Sequence, residues 1–235
     1  MHFSFLPLLL PLALAAVNEP CYGPSGLGGV CIAKSDCTAS GGTTTTGACP
    51  ADGDNILCCT KTKCKGDASA CNWTSDCGGT SASNLCPGPG QMKCCSKAGS
   101  VFGGYADASI VPPVGACQKV AVDGARTVVG QFPGRVREIG CKRDCACPGD
   151  SEHCCGKAID FMISDGGSQA TLSGDDIAEW VMNHASANNV KYVIWGQKIW
   201  NPSRDKVTAW KNWRTMEDRK SITQNHWDHV HVSFN

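Results

Sequence analysis

Cysteine is the residue type that most constrains the fold of this chain. The sequence has 18 cysteines in 235 residues, and most of them lie before residue 97 in a region with few large apolar side chains. A unit with so little apolar material cannot bury much core, so disulfide bonds must supply most of its stability. The even number of cysteines is consistent with complete pairing in an oxidising compartment, although spacing does not reveal which cysteines pair.

The cysteines of residues 17–97 are arranged as a duplication. The repeats 21–59 and 64–95 each contain six cysteines, with a Ser-Asp-Cys tripeptide, a Cys-Pro dipeptide and a closing Cys-Cys pair. This pattern predicts two small, loop-rich units with three disulfides each. Clustered cysteines could instead bind a metal, but disulfides are the favoured interpretation in a secreted chain. A segment with glycine and serine, residues 98–114, is predicted to be a linker.

Residues 1–16 are predicted to be a secretory signal peptide. The apolar stretch 3–16 is too short to span a membrane, and its small residues favour cleavage near Ala15 or Ala16. The formal net charge is zero and no basic run occurs, which argues against a nucleic-acid partner. We therefore expect a soluble, extracellular monomer without a membrane partner. A sequon at Asn72 would be glycosylated only in a eukaryotic secretory route.

Imidazole and carboxylate side chains cluster in two segments of the second half. They are His153 and Asp160 in the first segment, and His226, Asp228, His229 and His231 near the end of the chain. A catalytic zinc ion takes three such ligands and keeps one position open for water. The polar and apolar alternation over 229–234 predicts a strand whose polar face carries two of the histidines. Alternation around Asp160 predicts a second strand that presents this carboxylate to a cleft.

The pattern Ser-x-His-x-x-Gly-x-Ala-x-Asp at 151–160, followed by a C-terminal His-x-His, resembles the zinc D-alanyl-D-alanine carboxypeptidases of the VanY type. Their superfamily also contains lysostaphin-type peptidases and the hedgehog signalling domain. The resemblance covers residues 115–235. It implies that His153, Asp160 and His231 bind one Zn²⁺ ion per chain. The fold that we expect is α+β, with a small antiparallel-sheet zinc peptidase domain preceded by the disulfide-rich, loop-rich tandem repeat.

The resemblance also implies catalytic residues. The family places a carboxylate, as general base, three residues before its last zinc histidine, and Asp228 has this position. Regular alternation would turn Asp228 away from the face that carries His229 and His231, so we expect a turn or bulge at residues 227–228. His226 and His229 are competing candidates, either as bases or as groups that stabilise the tetrahedral oxyanion.

Arg143 is the candidate for substrate binding. The family uses an arginine from this region to hold the terminal carboxylate of the substrate, which suits a guanidinium fork, and a solvated surface arginine is the equal alternative. Unlike the bacterial family, the segment 141–155 is rich in cysteine. We interpret these cysteines as disulfides that brace the metal loop, although a thiolate of Cys154 or Cys155 near His153 could also ligate zinc.

Other elements of the second half are predicted from periodicity. Residues 175–187 are predicted to form a helix that Ser173 caps, with His184 on its packing face rather than at the metal. Residues 191–195 are predicted to be a buried strand, and 125–130 either a strand or the start of a buried helix. Tryptophans of the irregular stretch could line a substrate cleft or pack in the core, and they are Trp200, Trp210 and Trp213.

The sequence therefore predicts a secreted zinc metallopeptidase, of the D,D-carboxypeptidase or peptidoglycan endopeptidase type. Its substrate would be an amide bond in the peptide stem of bacterial peptidoglycan, cut by metal-activated water. The repeats could contact cell-wall polysaccharide through Tyr22, Trp73 and the loop 41–47, or act as a spacer. One alternative is a catalytically inactive zinc-bearing domain that binds the wall or a protein. The other is a cysteine-rich interaction protein of the antimicrobial or inhibitor type.

Overall fold

The structure, a computed structural model, describes residues 17–49, 52–97, 105 and 111–235. Within these ranges the chain forms three sheets, one in each cysteine-rich repeat and one in the second half. Neighbouring strands pair antiparallel throughout, and helices accompany the sheets, which confirms the α+β class. The predicted signal peptide and most of the predicted linker lie outside the described residues.

The first repeat is a small four-stranded sheet with one short helix, α1, after its second strand. Its strands stand in the order β1-β2-β4-β3. The bounds are Pro20–Tyr22 for β1, Gly28–Ala33 for β2, Lys34–Ala39 for α1, Thr43–Thr45 for β3 and Ile56–Thr60 for β4. Its disulfides are Cys21–Cys58, Cys31–Cys49 and Cys37–Cys59.

The second repeat has the same disulfide connectivity on a smaller sheet, in the strand order β5-β7-β6. The bounds are Ala70–Trp73 for β5, Ser81–Ala82 for β6 and Met92–Cys95 for β7. Its disulfides are Cys64–Cys94, Cys71–Cys86 and Cys77–Cys95. In both repeats the first cysteine pairs with the fifth, the second with the fourth and the third with the sixth. The predicted duplication therefore extends to the pairing, which spacing alone had left open.

The second half contains a six-stranded sheet in the order β12-β11-β10-β13-β9-β8. The bounds are Lys119–Gln131 for α2, Glu138–Gly140 for β8, Ala158–Met162 for β9, Asp175–Asn183 for α3, Val190–Trp195 for β10, Lys198–Trp200 for β11, Arg214–Thr215 for β12 and His229–Phe234 for β13. The last strand, β13, lies between β9 and β10, and every residue in it is buried. Its apolar side chains Val230, Val232 and Phe234 pack in the core, as the alternation predicted.

Most of the predicted elements of this half are present, with several corrections. The strand β10 ends at Trp195, and Gly196 follows it with a φ of +53°, a left-handed conformation that glycine adopts readily. The prediction that Ser173 caps α3 was wrong, because the cap position is Gly174 and the Ser173 hydroxyl donates to Asp76 of the second repeat. Residues 125–130 are helical, which was one of the two predicted alternatives, but they form the end of α2 and not its start.

Three predicted cleft tryptophans and His184 pack against other side chains. Trp200, Trp210 and Trp213 are buried in the core, which is the second of the two predicted fates. The predictions that the helix extends to residue 187 and that His184 lies on its packing face were wrong, because α3 ends at Asn183 and His184 is exposed. The His184 ring stacks on Trp180 with ring centroids 4.1 Å apart, away from the candidate metal ligands. No helix within the described residues is both long and apolar enough to cross a membrane.

Two glycines of α2 provide a matched test of how this helix packs on the sheet. A Cβ atom at Gly124 would lie 2.3 Å from Cε1 of the Phe234 ring, whereas one at Gly130 would meet no atom within 4 Å. We expect Gly124→Ala to lower the free energy of unfolding by about 1–3 kcal/mol through overpacking. Gly130→Ala should raise it by up to about 1 kcal/mol through helix propensity. Urea denaturation measures both, and equal effects would contradict this packing.

Candidate metal centre

The candidate metal ligands meet where β9 and β13 pair. His231 on β13 stands directly opposite Asp160 on β9, so the register of two antiparallel strands brings these side chains together. His153 approaches from a short 3₁₀ turn at Glu152–Cys155, immediately before β9. Gly156 ends this turn with a φ of +67°, which allows the chain to reverse from the turn into the strand.

The three side chains present one ligand atom each to a common point. The Nε2 atom of His153 lies 3.0 Å from Oδ1 of Asp160 and 3.2 Å from Nδ1 of His231. The same Asp160 oxygen lies 2.8 Å from Nδ1 of His231. All three residues are buried, with His153 only 1% exposed. The predicted ligand triad is therefore assembled in the fold, although His231 lies 71 positions from Asp160 in the sequence.

The hydrogen-bond partners of His153 and His231 outside the cluster determine which ring nitrogen of each residue keeps a lone pair toward the cluster. The backbone carbonyl of Cys141 can only accept, so Nδ1 of His153 donates to it and Nε2 keeps its lone pair. Nε2 of His231 lies 2.9 Å from the Ser233 hydroxyl, which leaves Nδ1 as an acceptor when Nε2 donates. Carbonyl and hydroxyl groups that orient histidines in this way are the usual outer partners of metal ligands.

A cation fits this donor set. Two imidazole lone pairs and a carboxylate oxygen converge at 2.8–3.2 Å, and three acceptors at this spacing repel one another unless a cation lies among them. Zinc binds nitrogen and oxygen at about 2.0–2.2 Å, which puts tetrahedral ligands roughly 3.3 Å apart. The observed spacing is close to this value. Buried nitrogen and oxygen ligands in a set of three match a catalytic zinc site better than a calcium or magnesium site.

The electrostatics of the cluster keep Asp160 ionised. Burial raises the pKa of this carboxyl. When no metal is bound, the rings of His153 and His231 can instead carry a proton on the nitrogen that faces Asp160, and hydrogen bonds from them outweigh burial and hold the pKa well below its usual value. Burial lowers the pKa of His231, which favours the neutral ring that a metal ligand requires. An ionised Asp160 beside a neutral His231 ring favours the binding of a divalent cation.

Three disulfides hold the loop that carries His153. They are Cys117–Cys141, Cys145–Cys154 and Cys147–Cys155. The bracing interpretation of these cysteines is confirmed. The alternative of a thiolate ligand at Cys154 or Cys155 is wrong, because all 18 cysteines lie in the described residues and are bridged. Cys141 has a double role, since its carbonyl also accepts from His153.

Arg143 lies at the edge of the cluster. Its Nη2 atom donates to Oδ2 of Asp160 over 2.9 Å, which occupies the carboxylate oxygen that does not face the histidines. The Arg143 side chain is nonetheless 60% exposed. The guanidinium therefore both orients a metal ligand and faces solvent beside it. Contact between Arg143 and the carboxylate of a substrate stays a prediction, and the exposed position of the side chain suits that role.

Asp228 lies behind His229 and not beside the predicted metal ligands. Residues 222–228 form turns and bends, and β13 begins at His229, so the predicted irregularity at 227–228 is confirmed. The Oδ1 atom of Asp228 accepts from Nδ1 of His229 over 2.6 Å. Its Oδ2 atom accepts from the Ser168 amide over 2.9 Å and the Thr223 hydroxyl over 2.5 Å.

Asp228 orients His229 toward the predicted metal ligands. Its Nε2 atom lies 3.5 Å from Oδ1 of Asp160, so this nitrogen faces the ligands while Nδ1 is held by Asp228. Burial raises the pKa of Asp228, but its hydrogen bonds with His229, Thr223 and the Ser168 amide outweigh burial and lower the pKa below its usual value. Asp228 as a direct base stays a prediction, and this geometry favours action through His229.

His226 stands against the other two histidines of the C-terminal segment. Its ring centroid lies 4.7 Å from that of His229 and 5.7 Å from that of His231. Burial, and then the neighbouring histidines, lower its pKa well below the usual value, so the ring is neutral. Its φ of +58° is unusual for a residue with a side chain, and its buried Nδ1 atom has no hydrogen-bond partner among the described residues. The Nδ1 atom of His226 is therefore available to donate or accept a hydrogen bond beside the predicted metal ligands.

The predicted sugar contacts of the repeats are only partly available. Trp73 is fully buried and its indole donates to the Gly29 carbonyl over 3.0 Å, so it cannot meet a polysaccharide. Tyr22 lines a cavity of about 290 Å³ between the first repeat and the second half, together with Trp210 and Trp227. The amide of Asn72 is half-buried and donates to the backbone of Asp76, which makes it a poor glycan acceptor.

Several groups that support the cluster were not found from the sequence. The Cys141 carbonyl, the Ser168 amide and the Thr223 hydroxyl act through positions that no motif marks. Ser233 is different, because it lies two residues after His231 on one face of a predicted strand. Strand periodicity could have identified Ser233 as a neighbour of the ligand.

Comparisons with known proteins place the chain in a family. Residues 113–227 match the family model described as VldE, C-terminal domain, a range that contains His153 and Asp160 and ends before His229. A protein of Arthroderma benhamiae, described as an uncharacterized secreted protein, is 50% identical over 228 residues. This alignment covers 91% of the chain and 92% of that protein, and it confirms the expectation of a secreted protein. No solved structure matches the chain. The chain belongs to the same family as this secreted protein of Arthroderma benhamiae.

Proposed function

We propose that the protein is a secreted zinc-dependent peptidase that hydrolyses an amide bond in the peptide stem of bacterial peptidoglycan. The observation that carries this proposal is the convergence of three buried acceptor atoms, from His153, Asp160 and His231, beside an Asp–His pair. The resemblance of these residues to the VanY-type metallopeptidases supports the choice of reaction and substrate. One zinc ion per chain is the expected cofactor.

The chemistry divides between the metal and the side chains around it. Zinc, when bound, supplies a Lewis acid that activates water and polarises a carbonyl group. His229 keeps a lone pair on Nε2 because Nδ1 donates to Asp228, so Nε2 can take a proton from the attacking water. The same nitrogen can return that proton to the leaving amine. His226 can donate to the carbonyl oxygen, and Arg143 can hold a carboxylate of the stem peptide.

Two alternative functions are supported by less of the geometry. A domain that only binds zinc and a partner does not need a buried carboxylate to orient a histidine beside the metal, as Asp228 orients His229. An interaction protein whose activity resides in the repeats does not need those repeats to be hydrogen-bonded to the second half, as Asp76 and Gln91 are. Both alternatives remain outcomes of the experiments below.

The direct test is mass spectrometry of defined peptidoglycan fragments after incubation with the zinc-loaded protein. We expect loss of terminal D-alanine or cleavage within the stem peptide, and the mass of the product identifies the bond. A chelator should abolish the product, and excess zinc should restore it, because three protein ligands alone cannot activate water.

The control is the protein with His184→Ala, which alters a histidine away from the metal ligands and should cleave as the wild type does. No product from zinc-loaded protein, with one zinc bound per chain, would contradict the proposed substrate and favour the binding domain. Antibacterial action by residues 17–97 alone would instead favour the interaction protein.

A further inference from the structure

We propose that the second cysteine-rich repeat positions His229 for the proposed reaction, and so is a part of the active site. The connection is a chain of hydrogen bonds from Asp76 and Gln91 through the 164–173 loop to Asp228. This loop joins β9 to α3 and carries no regular structure. The inference rests on the proposed function for its effect on turnover, but its structural part can be tested without activity.

Asp76 holds the far end of the loop. This carboxylate is only 3% exposed and accepts from the Thr171 hydroxyl over 2.5 Å and the Leu172 amide over 2.8 Å. It also accepts from the Ser173 hydroxyl. Three donors from consecutive residues therefore converge on one buried side chain of the repeat. Hydrogen bonds to a carboxylate are stronger than those between neutral groups, so this anchor is a firm one.

Gln91 holds the middle of the loop. Its Oε1 atom accepts from the Ala170 amide over 3.0 Å, and its Nε2 atom donates to the Ser168 carbonyl over 3.2 Å. A further contact from the repeat is the Ser75 hydroxyl, which accepts from the Asp165 amide over 3.2 Å. The repeat thus binds the loop at both ends and in the middle, mostly through its backbone.

Ser168 connects the repeat to the metal centre. Its carbonyl accepts from Gln91 on one side, and its amide donates to Oδ2 of Asp228 on the other. Its φ of +61° is a conformation that residues with side chains seldom adopt, and it persists only where the surroundings impose it. Asp228 then passes the constraint to His229 through the bond between Oδ1 and Nδ1.

The first repeat supports the same arrangement. The Trp73 indole of the second repeat donates to the Gly29 carbonyl of the first, and the Tyr22 hydroxyl donates to the Leu172 carbonyl of the loop. Near the N-terminus, Glu19 accepts from Asn225, which precedes His226. These contacts join the repeats to the C-terminal segment and favour a fixed role over that of a spacer.

The test uses full-length, oxidised protein with Gln91→Ala and, separately, Asp76→Asn. We expect zinc content and KM to stay near wild type while kcat falls about 10–100-fold, because small misplacements of a catalytic group cost this much. The Nδ1 proton of His229, observed by ¹H–¹⁵N NMR of the zinc-loaded protein, should shift or broaden in both variants. The matched control is Asp67→Asn, a 93% exposed carboxylate of the same repeat that pairs with Lys63.

The outcomes separate the two proposals. An unchanged kcat and an unchanged His229 resonance in Gln91→Ala would overturn the positioning role. A shifted resonance in a protein that cleaves no peptidoglycan would uphold positioning and sink the proposed function. If Asp76→Asn does not fold, Gln91→Ala decides alone, since its side chain is half-buried and its loss leaves the disulfides intact.

Discussion

Replacing His231 with alanine is expected to abolish stoichiometric zinc binding. The change removes one of three ligands, and Asp160 and His153 alone do not form a catalytic zinc site. The loss of affinity should exceed the roughly 10–100-fold that follows from loss of an outer partner. Zinc per chain after dialysis, measured by inductively coupled plasma mass spectrometry, gives the stoichiometry. Competition with a chromophoric chelator gives the affinity.

Two further variants calibrate this result. Ser233→Ala removes only the partner of His231 Nε2, so zinc should remain bound but about 10–100-fold more weakly. His184→Ala should bind zinc as the wild type does, because that ring stacks on Trp180 outside the cluster. Full zinc binding by the His231 variant would refute the ligand assignment.

Replacing His229 with alanine is expected to leave zinc bound and to lower kcat by about 10²–10⁴-fold. This range is what a positioned general acid or base contributes. Asp228→Asn should produce a loss within the same range, because it removes the carboxylate that orients His229 through Nδ1. Steady-state kinetics on the fragment identified by mass spectrometry, with zinc content measured on the same samples, provide the comparison.

A variant that combines Asp228→Asn with His229→Ala tests which of these two residues takes the proton from the attacking water. If Asp228 acts only through His229, Asp228→Asn added to His229→Ala should cost little more than His229→Ala alone. If Asp228 is itself the base, as the resemblance implies, its loss should outweigh that of His229. Turnover close to wild type in the His229 variant would contradict the geometric assignment.

The convergence of Asp160 and His231 could be predicted because each residue lies in a local alternation, whereas His153 was added to the candidate ligands by the family resemblance. Alternation at 229–234 defines a strand face, and Asp160 lies in a second short alternation, so two motifs imply one meeting point. Register then follows from burying the apolar face of each strand. The sequence was informative here because the alternation that predicts each strand also predicts which face of the strand carries Asp160 or His231.

The roles of the surrounding residues could not be predicted in the same way. Asp228 was expected near the metal ligands through a turn or bulge at 227–228, and its partners Ser168 and Thr223 come from an irregular loop and a turn that no pattern marks. The bond between Ser173 and Asp76 joins residues 97 positions apart. Such contacts depend on how separate units dock, and no local pattern encodes that docking.

The helix α2 illustrates a different limit. Gly124 and Gly130, together with β-branched valines, weaken its intrinsic helix propensity and leave a short strand equally consistent with the sequence. Phe234 of β13 needs the space that Gly124 leaves. Tertiary packing therefore decides the conformation of this segment, and propensity alone is a poor guide to it.

The bridges around His153 have a consequence for the cell that makes the protein. Cys154 and Cys155, which follow this ligand directly, are tied to Cys145 and Cys147, and the carbonyl that orients its ring belongs to the bridged Cys141. A newly made chain in a reducing cytosol lacks all of these constraints. If the protein has the proposed peptidase activity, export into an oxidising compartment is the step that completes its site, and the chain stays inactive before it.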